Sequence, residues 1–228
     1  MRSIVVLQRR GWLAATFAAL VVAASASQVQ AQESINKVNG GISIDAGDNA
    51  GDLSTVNGGI EVGDNATAAT VETVNGGIRL GENARVRSTE SVNGGVRLAE
   101  GAEIENGLES VNGAITLLPG ARVGTDLENV NGTITLDASH VGGQLSTTSG
   151  SILIGSGSRV DGGLLVRKPK GMNFENRPPR VVIGPDAEVG GTLTFEREVR
   201  LYVHDRARVG TITGATPQRF SGEEPPAD

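Results

Sequence analysis

Apolar residues two apart, such as Ile78/Leu80 and Ile115/Leu117, alternate with polar ones along this chain. That is the period of a β-strand, whose successive side chains point to opposite faces. Glycine, Asn and Asp fill the intervals, and these are residues of tight corners. The alternation is itself repeated. Val-Asn-Gly starts at Val38, Val56, Val74, Val92, Val111 and Val130, and Thr148-Ser149-Gly150 is a degenerate seventh copy. Successive copies lie 18 or 19 residues apart. A fixed period of this size means one structural unit stacked many times.

Residues 74–91 divide into three hexads, VNGGIR, LGENAR and VRSTES. Each opens with an aliphatic residue (Val74, Leu80, Val86), and two carry another at the fifth position (Ile78, Ala84). The next coil repeats this with Val92, Val96, Leu98, Ala102, Ile104 and Leu108, all expected to line a narrow lumen. The pattern predicts an all-β fold, a single-stranded parallel β-helix with three short strands per triangular turn. Each coil buries roughly five or six aliphatic side chains, worth on the order of 10 kcal/mol gross. Ordering the same residues costs a similar amount. A lone coil does not fold, and stability accrues by stacking.

Weaker copies continue through Ile152, Ile154 and Val160, then residues 181–193 and 201–212. The expected total is about nine coils and a rod about 40 Å long, at about 4.8 Å per rung. Both members of the Asn-Gly pair tolerate positive φ, which suits a corner. The column Asn39, Asn57, Asn75, Asn93, Asn112 and Asn131 is placed to hydrogen-bond from coil to coil. The functional alternative is an exposed amide ladder that binds sugar.

The chain opens with an export-type segment. Arg2, Arg9 and Arg10 precede an apolar run at residues 11–26, and Val29-Gln30-Ala31 has the small-x-small form of a cleavage site. The run is short for a membrane span, although an uncleaved anchor is the alternative. Residues 1–31 are therefore expected to be a signal peptide, 32–214 the solenoid, and 215–228 a disordered acidic, Pro-rich tail. A periplasmic, secreted or cell-surface location follows. The absence of cysteine excludes disulfides and thiolate metal sites.

Removing the signal leaves 17 basic and 26 acidic residues, a net charge of −9. That balance argues against nucleic acid, which demands a basic footprint. The remaining aromatics are Phe174, Phe195, Tyr202 and Phe220, so the repeats carry no stacking platform. Phe195 and Tyr202 are expected to plug the C-terminal end. No cap is evident at the N-terminal end, so end-to-end self-assembly is expected there.

The phrases TVNGG-I and SVNGG-V resemble the β-solenoid repeats of bacterial putative adhesins. RVDGGLLV (residues 159–166) and AEVGGTLTF (residues 187–195) resemble bactofilins, the polymer-forming β-helical cytoskeletal proteins. Together they cover roughly residues 34–213. The resemblance implies a rod that assembles through its ends. It also implies a right-handed helix, which the Val-Asn-Gly corners favour, whereas an 18-residue hexad coil suits a left-handed one.

Three features are candidates for chemistry. Glu72, Glu90, Glu109 and Glu128 each stand two residues before a Val-Asn-Gly, so they stack in one column. A divalent cation could bridge them. The alternative is a solvated ladder neutralised by Arg79, Arg97 and Arg122, and no metal site is otherwise expected. Second, RKPKGMNFENRPPR (residues 167–180) breaks the period and is expected to leave the rod as a basic loop. Its Arg167, Lys168, Lys170, Phe174, Arg177 and Arg180 are candidate ligands for an anionic envelope polysaccharide or lipopolysaccharide, or form a plain solvated insertion.

Third, His140 and His204 suggest comparison with hexapeptide acyltransferases, whose coils are similar and which use a histidine base. An exported chain would not meet acyl-CoA, and no Ser/His/Asp grouping, HExxH or phosphate loop occurs. The sequence therefore predicts no enzyme and no cofactor. It predicts a scaffold or adhesin whose partners are itself or envelope components.

Overall fold

The chain forms parallel strands wound into a β-solenoid of about ten turns, with no helix among the described residues. The computed structural model describes residues 32–169, 178–222 and 224–226. The expected signal segment lies outside them, as do Lys170, Phe174 and Arg177.

Each coil has three faces. Face one is a ten-stranded parallel sheet of short strands, among them Ile42–Ile44, Ile78–Leu80, Ile115–Leu117 and Ile152–Ile154. In each of these the two outer aliphatics are buried, and the middle residue turns away from the core. Face two carries two-residue strands such as Glu103–Ile104, Arg122–Val123 and Arg159–Val160. Face three carries strands that run into the Asn-Gly corner, such as Leu108–Asn112 and Leu127–Asn131. The nine-residue strands Thr67–Asn75 and Arg85–Asn93 pass through the corner between faces two and three, so these faces form one 16-stranded sheet.

The lumen is filled by stacked columns. On face three Leu53, Val71, Thr89, Leu108, Leu127, Leu145, Leu164 and Leu193 align coil on coil. Two residues later comes a second inward column, Thr55, Thr73, Ser91, Ser110, Asn129, Thr147, Val166 and Phe195. Its polar members are all buried, and several bond to corner carbonyls. Thr55 Oγ1 donates to Gly40 O at 3.1 Å, Thr73 Oγ1 to Gly58 O at 3.0 Å, and Asn129 Nδ2 to Gly113 O at 3.1 Å.

This phase corrects the hexad reading. Val56, Val74, Val92 and Val111 do not line the lumen, since each is 39–40% exposed. The inward place belongs to the small polar residue one position earlier, because a buried corner carbonyl must be hydrogen-bonded and a valine cannot do it.

The Asn-Gly corner also works differently from expectation. At the Asn-Gly corner only the outer glycines of the series, Gly40 (φ 99°) and Gly132 (φ 120°), take the expected positive φ. The regular left-handed column lies at the other corner, between faces one and two: Gly47, Asn65, Asn83, Gly101, Gly120, Ala138, Gly157 and Asp186. Gly58, Gly76, Gly94 and Gly113 have ordinary φ. They are glycine because a Cβ on Gly76 would collide with the Gly58 carbonyl, and one on Gly94 with the Gly76 carbonyl. Close stacking of backbone excludes the side chain here.

The period lengthens once. Leu164 aligns with Leu193, 29 residues on, so the extra residues of the expected basic insertion fall between Val166 on face three and Arg180 on face one. In earlier coils Asn-Gly stands at this point between the two faces. The C-terminal segment departs from the expectation of disorder over all of 215–228. Gln218–Phe220 is a strand of face one, in register with Tyr202–His204. Tyr202 does not plug the lumen either. Its neighbours Leu201 and Val203 face the core, and Tyr202 packs outside with Val182 and Phe220. This external cluster gives Phe220 somewhere to be buried. Phe195, by contrast, is in the lumen.

Candidate functional site

Face three presents two parallel columns to solvent. Strand alternation between the inward Leu108 and Ser110 turns Glu109 outward, and the same geometry places Glu72, Glu90 and Glu128 on its rungs. Beside them run the exposed valines. Together they border a shallow groove of about 270 Å³ along the rod, lined by Val74, Glu90, Val92, Glu109, Val111 and Glu128 among others.

The expected neutralising arginines are not there. Arg79 and Arg97 align with Glu61 and Thr116 on face one, and Arg122 belongs to face two. Corners separate them from the Glu column. Among the described residues the one cation paired with the column is Arg167, which ion-pairs with Glu128 from the start of the insertion. Among the described residues Glu72, Glu90 and Glu109 make no ion pair. No group of three or more metal-ligating side chains is placed to hold an ion among those residues.

The six asparagines form a continuous ladder at the adjoining corner. Asn57 Nδ2 donates to Asn39 Oδ1 at 3.1 Å, Asn75 to Asn57 at 3.0 Å, Asn93 to Asn75 at 3.1 Å, Asn112 to Asn93 at 3.0 Å and Asn131 to Asn112 at 2.9 Å. Each interior amide thus spends one donor and one acceptor on the ladder.

The candidate ligands in the insertion are distributed rather than gathered. Arg167 lies against Glu128 on face three, and the Lys168 N–H donates to Glu196 Oε2 at 3.0 Å. Arg180 begins a face-one strand, where its guanidinium sits 4.7 Å from the Tyr202 ring centre and donates to Pro226 O at 3.1 Å. It clamps the C-terminal segment against the external aromatic cluster. Among the candidates, the described residues contain no common anion site.

Face two holds a network that no periodic motif predicts. Its outward column runs Arg85, Glu103, Arg122, His140, Arg159, Glu188 and Arg208, so opposite charges become neighbours. Arg85 and Glu103 approach to 3.5 Å, and Arg159 and Glu188 to 2.7 Å. Asp161 at the next corner accepts from Arg159 and lies 2.8 Å from His140 Nε2. The hydrogen bond from His140, followed by that from Arg159, holds the Asp161 carboxyl below its ordinary range despite some desolvation. Asp161 in turn raises Arg159. His140 and Asp161 are 21 residues apart, off the period, which is why stacking alone does not pair them. His204 is buried beneath Phe220, with ring centres 5.1 Å apart, and its Nδ1 accepts from the Arg206 N–H. The two histidines share no site.

No helix among the described residues is long and apolar enough to cross a membrane. No protein-family profile, curated protein or solved structure matches the chain, so the geometry alone places it, as a parallel β-solenoid repeat protein.

Proposed function

We propose that the chain is a non-enzymatic, exported scaffold of the bacterial envelope that stacks end to end, as its bactofilin-like and adhesin-like phrases imply. The observation that carries this reading is the N-terminal edge. Among the described residues strands Ile35–Asn39 and Ile42–Ile44 each pair on one side only, and both are in register with the coils that follow. Ile42 N–H bonds to Gly59 O, and Ile44 O accepts from Gly63 N–H. Alternation along a parallel strand therefore turns the N–H and C=O of Ser43 out of the end of the rod. Such an edge is a template for another strand.

Charge favours a head-to-tail contact. Residues 32–110 contain 13 Asp/Glu against five Lys/Arg, whereas residues 178–228 contain eight Asp/Glu against six Arg, so the C-terminal end is much the less acidic. An acidic end meeting a more basic one is a heterologous contact, and heterologous contacts that do not close give filaments.

The test is sedimentation and negative-stain microscopy of residues 32–228 over a concentration series, beside S43P. Proline removes an outward N–H while sparing the bonds to the second coil. Filaments or end-to-end dimers that S43P abolishes support the reading. Single rods at every concentration and low salt overturn it.

A further inference from the structure

We propose that face three is a docking groove for one amphipathic α-helix that carries a basic stripe beside an apolar stripe. The inference goes beyond end-to-end assembly and does not depend on it, because the groove lies on the side of the rod and the free strands at its end.

Two outward columns run side by side there, one of carboxylates and one of valines. They are two residues apart on each strand, about 7 Å. Exposed valines scattered singly would need no explanation, but these stand on consecutive rungs and make a continuous ridge. Glu72, Glu90 and Glu109 have no ionic partner among the described residues. Unpaired like charges on adjacent rungs destabilise the rod by themselves. A cationic occupant would relieve that cost. The fourth rung shows the chemistry in place, since the Arg167 guanidinium is seated on Glu128 and Val130 beside it is only half-exposed.

The spacing selects the conformation of the partner. The rungs repeat at about 4.8 Å along the rod. A helix laid along the groove repeats its side-chain stripe every 5.4 Å or so. Over the three steps from Glu72 to Glu128 the mismatch is about 2 Å, which flexible Lys or Arg side chains absorb. An extended segment presents like-facing side chains about 6.8 Å apart and falls about 6 Å out of step over the same three steps. A helix also offers two adjacent stripes, one for the carboxylates and one for the valines, which is the helix-in-groove mode of recognition.

The probe is an alanine-based peptide of about 18 residues, with lysines at i, i+4, i+7 and i+11 and leucines on the adjoining stripe. Its binding to the full chain is read by fluorescence anisotropy. E72Q/E90Q/E109Q and V74T/V92T/V111T are each expected to weaken binding roughly tenfold, the summed effect of three exposed contacts. The first variant removes like-charge repulsion and should melt no lower than the parent, so lost binding is not lost folding. The second keeps β-branched residues at surface positions.

Unchanged affinity in both variants overturns the proposal. So does equal binding by a peptide of the same composition with its lysines spread around the helix, which would show attraction by charge alone. Concentration-dependent lateral pairing of the rods without peptide, abolished by the same variants, would assign the groove to a second copy and would also overturn it.

Discussion

The first coils and the last ones solve the same problem with opposite materials. Up to Asn131 the corner after face three is closed by stacked glycine backbones and the asparagine ladder, and the lumen beneath it is lined by Thr, Ser and Asn. From Val166 onward the same inward column is apolar, Val166 then Phe195, and aromatic residues gather. A tight corner brings carbonyls of successive coils into the lumen's edge, and these need donors rather than bulk. Beyond the Asn-Gly corners the column faces no such stack of carbonyls among the described residues, and apolar side chains fill the space instead. The column changes from hydrogen-bonding to packing with no change in register.

Phe195→Ala probes the packing end of the column and should have the largest effect. It leaves an unfilled cavity at a site only 5% exposed. The expected loss is about 3–5 kcal/mol in denaturant unfolding. A loss under about 1 kcal/mol would show that the C-terminal coils are not closed by packing.

Gly94→Ala probes the closed corner. The new Cβ meets the Gly76 carbonyl, backbone that cannot swing aside. Overpacking of this kind should cost about 3 kcal/mol, although Gly94 has an ordinary φ and alanine is otherwise the better residue. Gly157→Ala is the control. Nothing lies within 4 Å of its Cβ position, so any cost there is left-handed strain at φ 67°, of about 1 kcal/mol. Equal losses at the two sites would remove the close-approach account.

Thr89→Val tests the same contrast with the opposite sign. Thr89 is buried between Val71 and Leu108 in an otherwise aliphatic column, and its hydroxyl has no partner among the described residues. An isosteric valine removes an unsatisfied group and should stabilise the rod by about 1 kcal/mol. Destabilisation would mean that the hydroxyl is bonded in solution.

Much of this architecture is legible in the sequence, because Asn-Gly punctuates the first six coils and pairs such as Ile78/Leu80 fix the face-one strands. What failed was the phase on face three. Hydrophobicity alone puts Val74 inside and Thr73 outside, whereas buried carbonyls demand the reverse. The Glu column was readable as a column, because its members share one place in the repeat. Its environment was not: Arg79 and Arg97 share the period but stand around a corner. The final strand was hidden by composition, since Pro- and Gly-rich flanks read as disorder until the partners Tyr202 and His204 are known.

The smallest expected effect belongs to the face-two network, and its pH dependence has a definite sign. Asp161 is held below its ordinary value by His140 first and Arg159 second, so the folded state binds its proton less readily than the unfolded chain does. Stability from this group is therefore complete above the unfolded carboxylate value, near pH 4. It is lost as pH falls through the depressed folded value. Asp161 is 37% exposed and Arg159 51%, so screening limits the contribution to under about 1 kcal/mol. Asp161→Asn should accordingly leave a small deficit at neutral pH that vanishes in acid, so that the two unfolding curves converge once pH falls below the depressed folded value. A deficit that stays constant from pH 7 to acid would mean that Asp161 acts through the shape of the corner and not through its charge.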